Sequence, residues 1–229
     1  MRVSLSEVET TVRKAALGVG LALGLAEDAG RAAGWAALVG VGDPGLFAAA
    51  LEALDTGRSV GADADRAATG TLAPVDGAGP LSALIAGPAA CDALRSVAGT
   101  VTLIAVDHPA VVLFEALEIC DGLAGELRVD WLDPGGAAIE VVRRGDGIID
   151  GLAKRPTLAG LGPADMRLAL TDGRAPPPAA AARPEVLAEG VAVDDARWRC
   201  IAAFAARLLV EGTEASRLSG AGAGVVDVD

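Results

Sequence analysis

From Glu126 the hydrophobic period of this chain changes to two. Leu127, Val129 and Trp131 alternate with Glu126, Arg128 and Asp130, the pattern of a strand with one buried face. Asp133-Pro134-Gly135-Gly136 makes a turn, Ala137 to Val142 returns, and Arg144-Gly145-Asp146-Gly147 turns again into Ile148-Ile149. This is an antiparallel meander, with Arg128, Asp130, Glu140 and Arg143 placed to pair across a polar face. Met166 to Thr171 adds a short strand, ended by Asp172-Gly173.

Before the meander the period is helical. Ser4-Leu5-Ser6-Glu7 has the spacing of a capping box, and Leu5, Val8, Val12, Ala15 and Val19 form one stripe, which predicts a helix from Leu5 to about Leu17. Leu21 to Val39 predicts a second helix, with Glu27 and Arg31 paired at i,i+4. The pairs Gly20/Gly24 and Gly30/Gly34 leave grooves for a neighbouring helix. Leu46 to Leu54 is a third helix, opened by Pro44. Residues 55–79, rich in Gly, Asp and Thr, read as a long loop with at most a short strand. Leu81 to Val97 is interrupted near Gly87-Pro88 and helical at its end. Ala175 to Pro184 reads as an extended Pro/Ala linker. Asp194-Asp195 caps the last long helix, whose buried stripe is Trp198, Ile201, Ala202, Ala205, Leu208 and Leu209. Helices, one strand–helix unit, a meander and a final helix define an α+β fold, with mixed α/β as the alternative. No internal repeat is present, and residues 1–229 read as one domain.

Two stretches are candidates for chemistry. The first is the strand–helix junction after Val101 to Val106, the best buried strand of the chain. Asp107 is the expected N-cap and Pro109 the first-turn proline of a helix from Ala110 to Leu117. Between them stands His108, the only histidine and the candidate acid–base residue, at a kind of strand end that carries ligands in many α/β sheets. Cys120, past that helix, is the thiol to look for beside it.

The second is the segment Thr213 to Asp229, T-E-A-S-R-L-S-G-A-G-A-G-V-V-D-V-D. Gly220, Gly222 and Gly224 alternate with alanines, so a ligand can approach the main chain closely, and successive N–H groups can cradle an anion. Arg217, Ser216 and Ser219 complete a donor set for a carboxylate or phosphate. The spacing is not the dinucleotide fingerprint, which needs a strand before it and a helix after it. Asp227 and Asp229 on one side of an extended end are candidate ligands for a hard cation such as Mg²⁺. The plain alternative is a solvated Gly/Ala end.

The pairing of this S-R-L-S-G-A-G-A-G segment with S-L-S-E-V-E-T-T-V-R-K-A-A and G-L-A-E-D-A-G-R-A-A-G-W resembles a bacterial domain family of unknown function that spans nearly a whole short protein. Glu214, Ala215, Ser216, Arg217 and Gly220 to Gly224 carry the resemblance at one end. Leu5, Glu7, Lys14, Gly24, Ala26, Glu27, Ala29, Gly30 and Trp35 carry it at the other. Where the family has threonine and asparagine, this chain has Val226 and Val228. The resemblance implies one domain containing both ends, and no reaction.

Composition narrows the partners. Half the residues are apolar, which excludes a disordered chain of this length, and a net charge of −12 with no basic stripe argues against nucleic acid. Cys91, Cys120 and Cys200 form no C-x-x-C and one is left over from any pairing, so a reducing cytoplasm is expected and each thiol reads as a small buried hydrophobe. The apolar run Ala15 to Ala26 lies behind Glu7 and Glu9 and is too short to span a bilayer, so neither export nor a membrane partner is expected. No motif names a reaction or a cofactor. The expectation is a domain for a small anionic metabolite; the alternative is a non-catalytic subunit whose Ala/Gly helix faces form a homo- or hetero-oligomer seam.

Overall fold

A computed structural model describes residues 1–39, 43–63, 69–75, 79–96, 99–120, 125–133, 136–143, 149–150, 162–171 and 184–209. The fold is α+β. In chain order the elements are β1 (Arg2–Val3), α1 (Leu5–Gly18), α2 (Leu23–Val39), α3 (Leu46–Asp55), β2 (Thr71–Leu72), α4 (Ala83–Ser96), β3 (Thr100–Val106) and α5 (Pro109–Ile119). They continue with β4 (Glu126–Leu132), β5 (Ala138–Arg143), β6 (Ile149–Asp150), β7 (Ala164–Thr171), α6 (Pro184–Glu189), β8 (Val191–Ala192) and α7 (Asp195–Ala206).

Six strands form one sheet in the order β2-β3-β7-β4-β5-β6; β2 and β3 are parallel and the other neighbours antiparallel. The two-residue period sorts its faces. Val101, Leu103, Leu127, Val129, Trp131, Ile139, Val141, Met166 and Leu168 are buried together on one side. Arg128, Glu140 and Arg167 lie on the exposed side. There Asp130 faces Glu140 across one seam and Arg167 across the other, and Arg128 bonds Glu140 at 3.0 Å. The expected cross-pairing therefore holds for Arg128 and Glu140. Arg143 departs from it: odd-numbered positions of β5 point inward, so Arg143 is 2% exposed on the core side.

Helices stack outward from that core side. The pair α4 and α5 covers the sheet, α2 lies on α5, α1 on α2 and α7 on α1. Sandwiched between sheet and helix, α5 is buried from Pro109 through Leu117 and has no solvent stripe. Ala26, Ala29, Ala32, Ala33 and Ala36 keep α2 thin enough to be packed on both sides. At Gly30 a side chain would meet the Glu9 carbonyl, and at Gly34 the Glu9 side chain, so this glycine pair is used for the α1–α2 contact. Gly24 faces open space and Gly20 adopts a positive φ of 91° in the turn between α1 and α2, so that pair makes no groove.

Helix ends follow the local chemistry. Ser4 Oγ accepts from Glu7 N–H at 3.1 Å, and Asp194 accepts from Ala196 N–H and Arg197 N–H at 3.1 and 2.9 Å. Asp194→Ala should cost about 1 kcal/mol in denaturant unfolding, and an unchanged midpoint would contradict the cap. Several expectations are corrected. Pro88 lies inside α4, because burial of Ala83, Leu84, Ala86, Ala90 and Cys91 against the sheet and α5 outweighs one missing ladder bond. Arg31 pairs with Asp28 and Glu118 rather than Glu27, since Glu118 of α5 lies across the α2–α5 contact. Gly45, not Pro44, occupies the N-cap of α3. Pro184 opens α6 instead of ending a linker. The buried stripe of α7 is Trp198, Ile201 and Phe204; the helix ends at Ala206, and Leu208 and Leu209 are exposed.

Candidate functional site

The strand–helix junction is one place where the fold brings polar groups to a concave surface. β3 does not run straight into it. Its register with β7 shifts between Leu103 and Val106, and Ala105 takes φ +52°, a left-handed conformation that costs a non-glycine residue about 1 kcal/mol. Asp165 Oδ1 accepts from Ala105 N–H at 2.8 Å and holds the bulge. Leu81 N–H then bonds Ala105 C=O at 2.9 Å, and Asp107 N–H bonds Leu81 C=O at 3.0 Å.

Asp107 is the expected cap, but of the other helix. Its Oδ1 accepts from Ala83 N–H at 2.8 Å, at the first residue of α4. The second oxygen is buried without a hydrogen bond of good geometry, the Ser59 hydroxyl lying near it. Burial pushes the Asp107 carboxyl up, against the favourable pull of His108, the Ala83 N–H and Ser59. His108 is itself the N-cap of α5, with Pro109 at the first turn, and its imidazole makes no capping bond. The ring is half-buried and lines a groove of about 450 Å³.

The opposite walls come from two distant elements. Gly45, Leu46, Ala48, Ala49 and Glu52 of the α3 region form one, and Ala196, Arg197 and Cys200 of α7 the other. Gly45 is needed there because a side chain would collide with Arg197. Arg197 contacts Asp43 at 3.6 Å and Glu52 contacts Arg58 at 3.2 Å, all on exposed side chains where such pairs are weak. The groove therefore presents one imidazole, one guanidinium and one carboxylate around an apolar floor. Burial and then Glu52 push the Cys200 thiol up, so it forms wall rather than nucleophile.

His108 is thus the one sequence candidate that the described residues place at a concave site. Ser216, Arg217, Ser219, Gly220, Gly222, Gly224, Asp227 and Asp229 lie outside the described residues. Cys120 is not beside His108; its Sγ lies 3.9 Å from Cys91 Sγ in the core. Among the described residues no group of three or more His, Cys, Asp or Glu side chains is arranged to hold a metal ion. Arg197 and Glu52 were not singled out in the sequence, and Cys200, expected to be buried, is half-buried in the groove wall; their role depends on α3 and α7 meeting, which no local pattern encodes. Glu115 was also passed over, although a lone acid inside Val111-Val112-Leu113-Phe114-Glu115-Ala116-Leu117 is a legible signal.

Residues 3–76 match the model of a family described as "Protein of unknown function (DUF3726)". The match covers α1 to α3 and β2, hence the α3 wall of the groove, and ends before His108 and α7. No curated protein matches the chain. No helix among the described residues is long and apolar enough to cross a membrane.

Proposed function

We propose that this domain binds a small anionic metabolite in the groove between α3, α7 and the β3–α5 junction. The observation that carries the reading is the joint presence of His108 and Arg197 on one apolar-floored groove of about 450 Å³, a size suited to a small organic molecule. A carboxylate or phosphate on such a molecule would draw Arg197 from its long contact with Asp43 and accept a hydrogen bond from the imidazole. Asp107, anchored to the start of α4, fixes the backbone that aims the ring. His108 is the group we assign to proton transfer if the bound molecule reacts. The Gly220–Gly224 segment with Ser216, Arg217 and Ser219 remains a proposed second contact for the anion, and Asp227 with Asp229 a proposed cation site.

A thermal-shift screen with dicarboxylates, sugar phosphates and amino acids tests the groove directly. A compound that raises the melting temperature of the native chain should lose most of that shift in both Arg197→Ala and His108→Ala. A shift retained in both variants places the ligand elsewhere. The competing reading, an oligomer seam on the Ala/Gly helix faces, has less surface to use: the Gly30/Gly34 face of α2 is already covered by α1 of the same chain.

A further inference from the structure

Two of the three cysteines meet in the core, remote in role from the His108 groove. Cys91 sits in the middle of α4 and Cys120 is the C-cap of α5; both side chains are fully buried and their sulfurs are 3.9 Å apart. Their immediate chain neighbours line a polar depression of about 320 Å³ on the α4–α5 seam. Asp92 and Arg95 contribute from α4, Glu118 and Ile119 from α5. Arg95 spans that seam, donating to the Ile119 carbonyl at 3.1 Å and contacting Asp92 at 3.3 Å. The depression therefore reaches the residues flanking each thiol, with the Arg31 and Arg95 guanidiniums in its wall.

We propose that Cys91 and Cys120 are an oxidative modification site, a dithiol that a small hydroperoxide converts to an intramolecular disulfide joining α4 to α5. Their separation decides the chemistry. Two sulfurs in van der Waals contact need only a rotamer adjustment and a small helix shift to bond, whereas Cys200, on α7, has neither of them beside it. Cys120 is the sulfur that reacts first. The contact with Cys91 above all, then Arg95 and Arg143, lower the Cys120 thiol against the opposing effect of burial, while the contact with Cys120 and then burial raise the Cys91 thiol. The Cys120 thiolate attacks one peroxide oxygen, the O–O bond breaks, and the leaving oxygen takes up a proton as water or an alcohol. Cys91 then gives up its proton and attacks the sulfenic sulfur; the S–O bond breaks and water leaves. The two thiols lose two electrons and the peroxide gains them.

The test uses the full native chain, reduced, desalted and treated with a few equivalents of hydrogen peroxide without denaturant. Intact mass should fall by about 2 Da, the thiol count should drop from three to one, and peptide mapping should show Cys91 joined to Cys120. Cys200→Ser should form the same Cys91–Cys120 bond, its thiol count falling from two to none. Cys91→Ser should instead stop at a Cys120 sulfenic acid, trapped by dimedone. The oxidised chain should melt roughly 5–10 °C higher and return to its starting value with a reductant. Oxidation at Cys200 alone, or a Cys91–Cys120 bond formed only in denaturant, would overturn the proposal.

Discussion

Replacing Glu115 with glutamine should raise stability far more at pH 8 than at pH 5. Glu115 is fully buried in the centre of α5, and neither carboxyl oxygen has a hydrogen-bond partner among the described residues. One of them is pressed against the Gly87 backbone of α4, which has room for it only because residue 87 has no side chain. Burial above all, then the carboxylates of Asp28, Asp107 and Glu118, raise this group well above the usual range, so it is held neutral in the fold. The unfolded chain releases the proton at about pH 4.3. Above that pH the unfolded state binds fewer protons than the native state, and native stability falls by up to about 1.4 kcal/mol per pH unit until the folded group itself ionises. Glutamine has no proton to lose, so the difference between the two proteins should open between pH 5 and pH 8. Asp28 and Asp107, both raised chiefly by burial, slope in the same direction but are present in both proteins and cancel. Glu115→Met goes further. It removes the unpaired polar atoms while keeping a flexible side chain of similar length, and should add about 1–3 kcal/mol across the whole range. Denaturant midpoints at the two pH values read both effects; parallel wild-type and glutamine curves would mean that Glu115 finds a partner in solution.

A buried acid without a partner is not something a stable core requires. Here it stands on the most enclosed helix, two residues short of the turn that ends in Cys120, and beside the helix that carries Cys91. The α4–α5 seam thus concentrates three of the least expected features of the chain: a carboxyl, a thiol pair and a proline within a helix.

Much of the scaffold was legible because it is periodic. The two-residue alternation of β4 and β5, the stripe of α1, the buried run of β3 and the caps at Ser4 and Asp194 are each decided by a few neighbouring residues. What was not legible depends on which elements meet. Met166 to Thr171 reads as a short strand near the end of the chain, yet β7 inserts between β3 and β4 at the centre of the sheet, a placement set by long-range pairing. Asp107 looks like the cap of the helix that follows it; the bulge at Ala105 turns it instead toward α4. The groove was half-visible for the same reason. His108 marked its position in the sequence, whereas Arg197 and Cys200 acquire meaning only when α7 folds back, through α1, against α3.

The placement of His108 rests on one glycine beyond the junction, and Gly162→Ala should disturb both stability and ligand response. A methyl group at residue 162 would fall far inside contact distance of the Asp107 carbonyl and would also press on the Pro109 ring. Both neighbours are rigid: one is backbone, the other a proline ring at the first turn of α5. Relief can come only by moving the segment at Gly162 away or by shifting Asp107 and Pro109, which flank His108. Overpacking of this kind costs about 1–3 kcal/mol. Because Asp107 also ties the start of α4 through Ala83, the shift propagates to both helices covering the sheet. A compound whose thermal shift depends on His108 and Arg197 should therefore bind Gly162→Ala at least several-fold more weakly, at temperatures where the variant is still folded. Gly24→Ala is the matched control. That glycine lies in α2 facing open space, so alanine there should be neutral or stabilise by up to about 1 kcal/mol, with the ligand response intact. Loss of stability in Gly162→Ala with unchanged binding would separate the groove from the junction; loss of both joins them, since the Asp107 carbonyl and the Pro109 ring, on either side of His108, are what a methyl group at residue 162 would meet first.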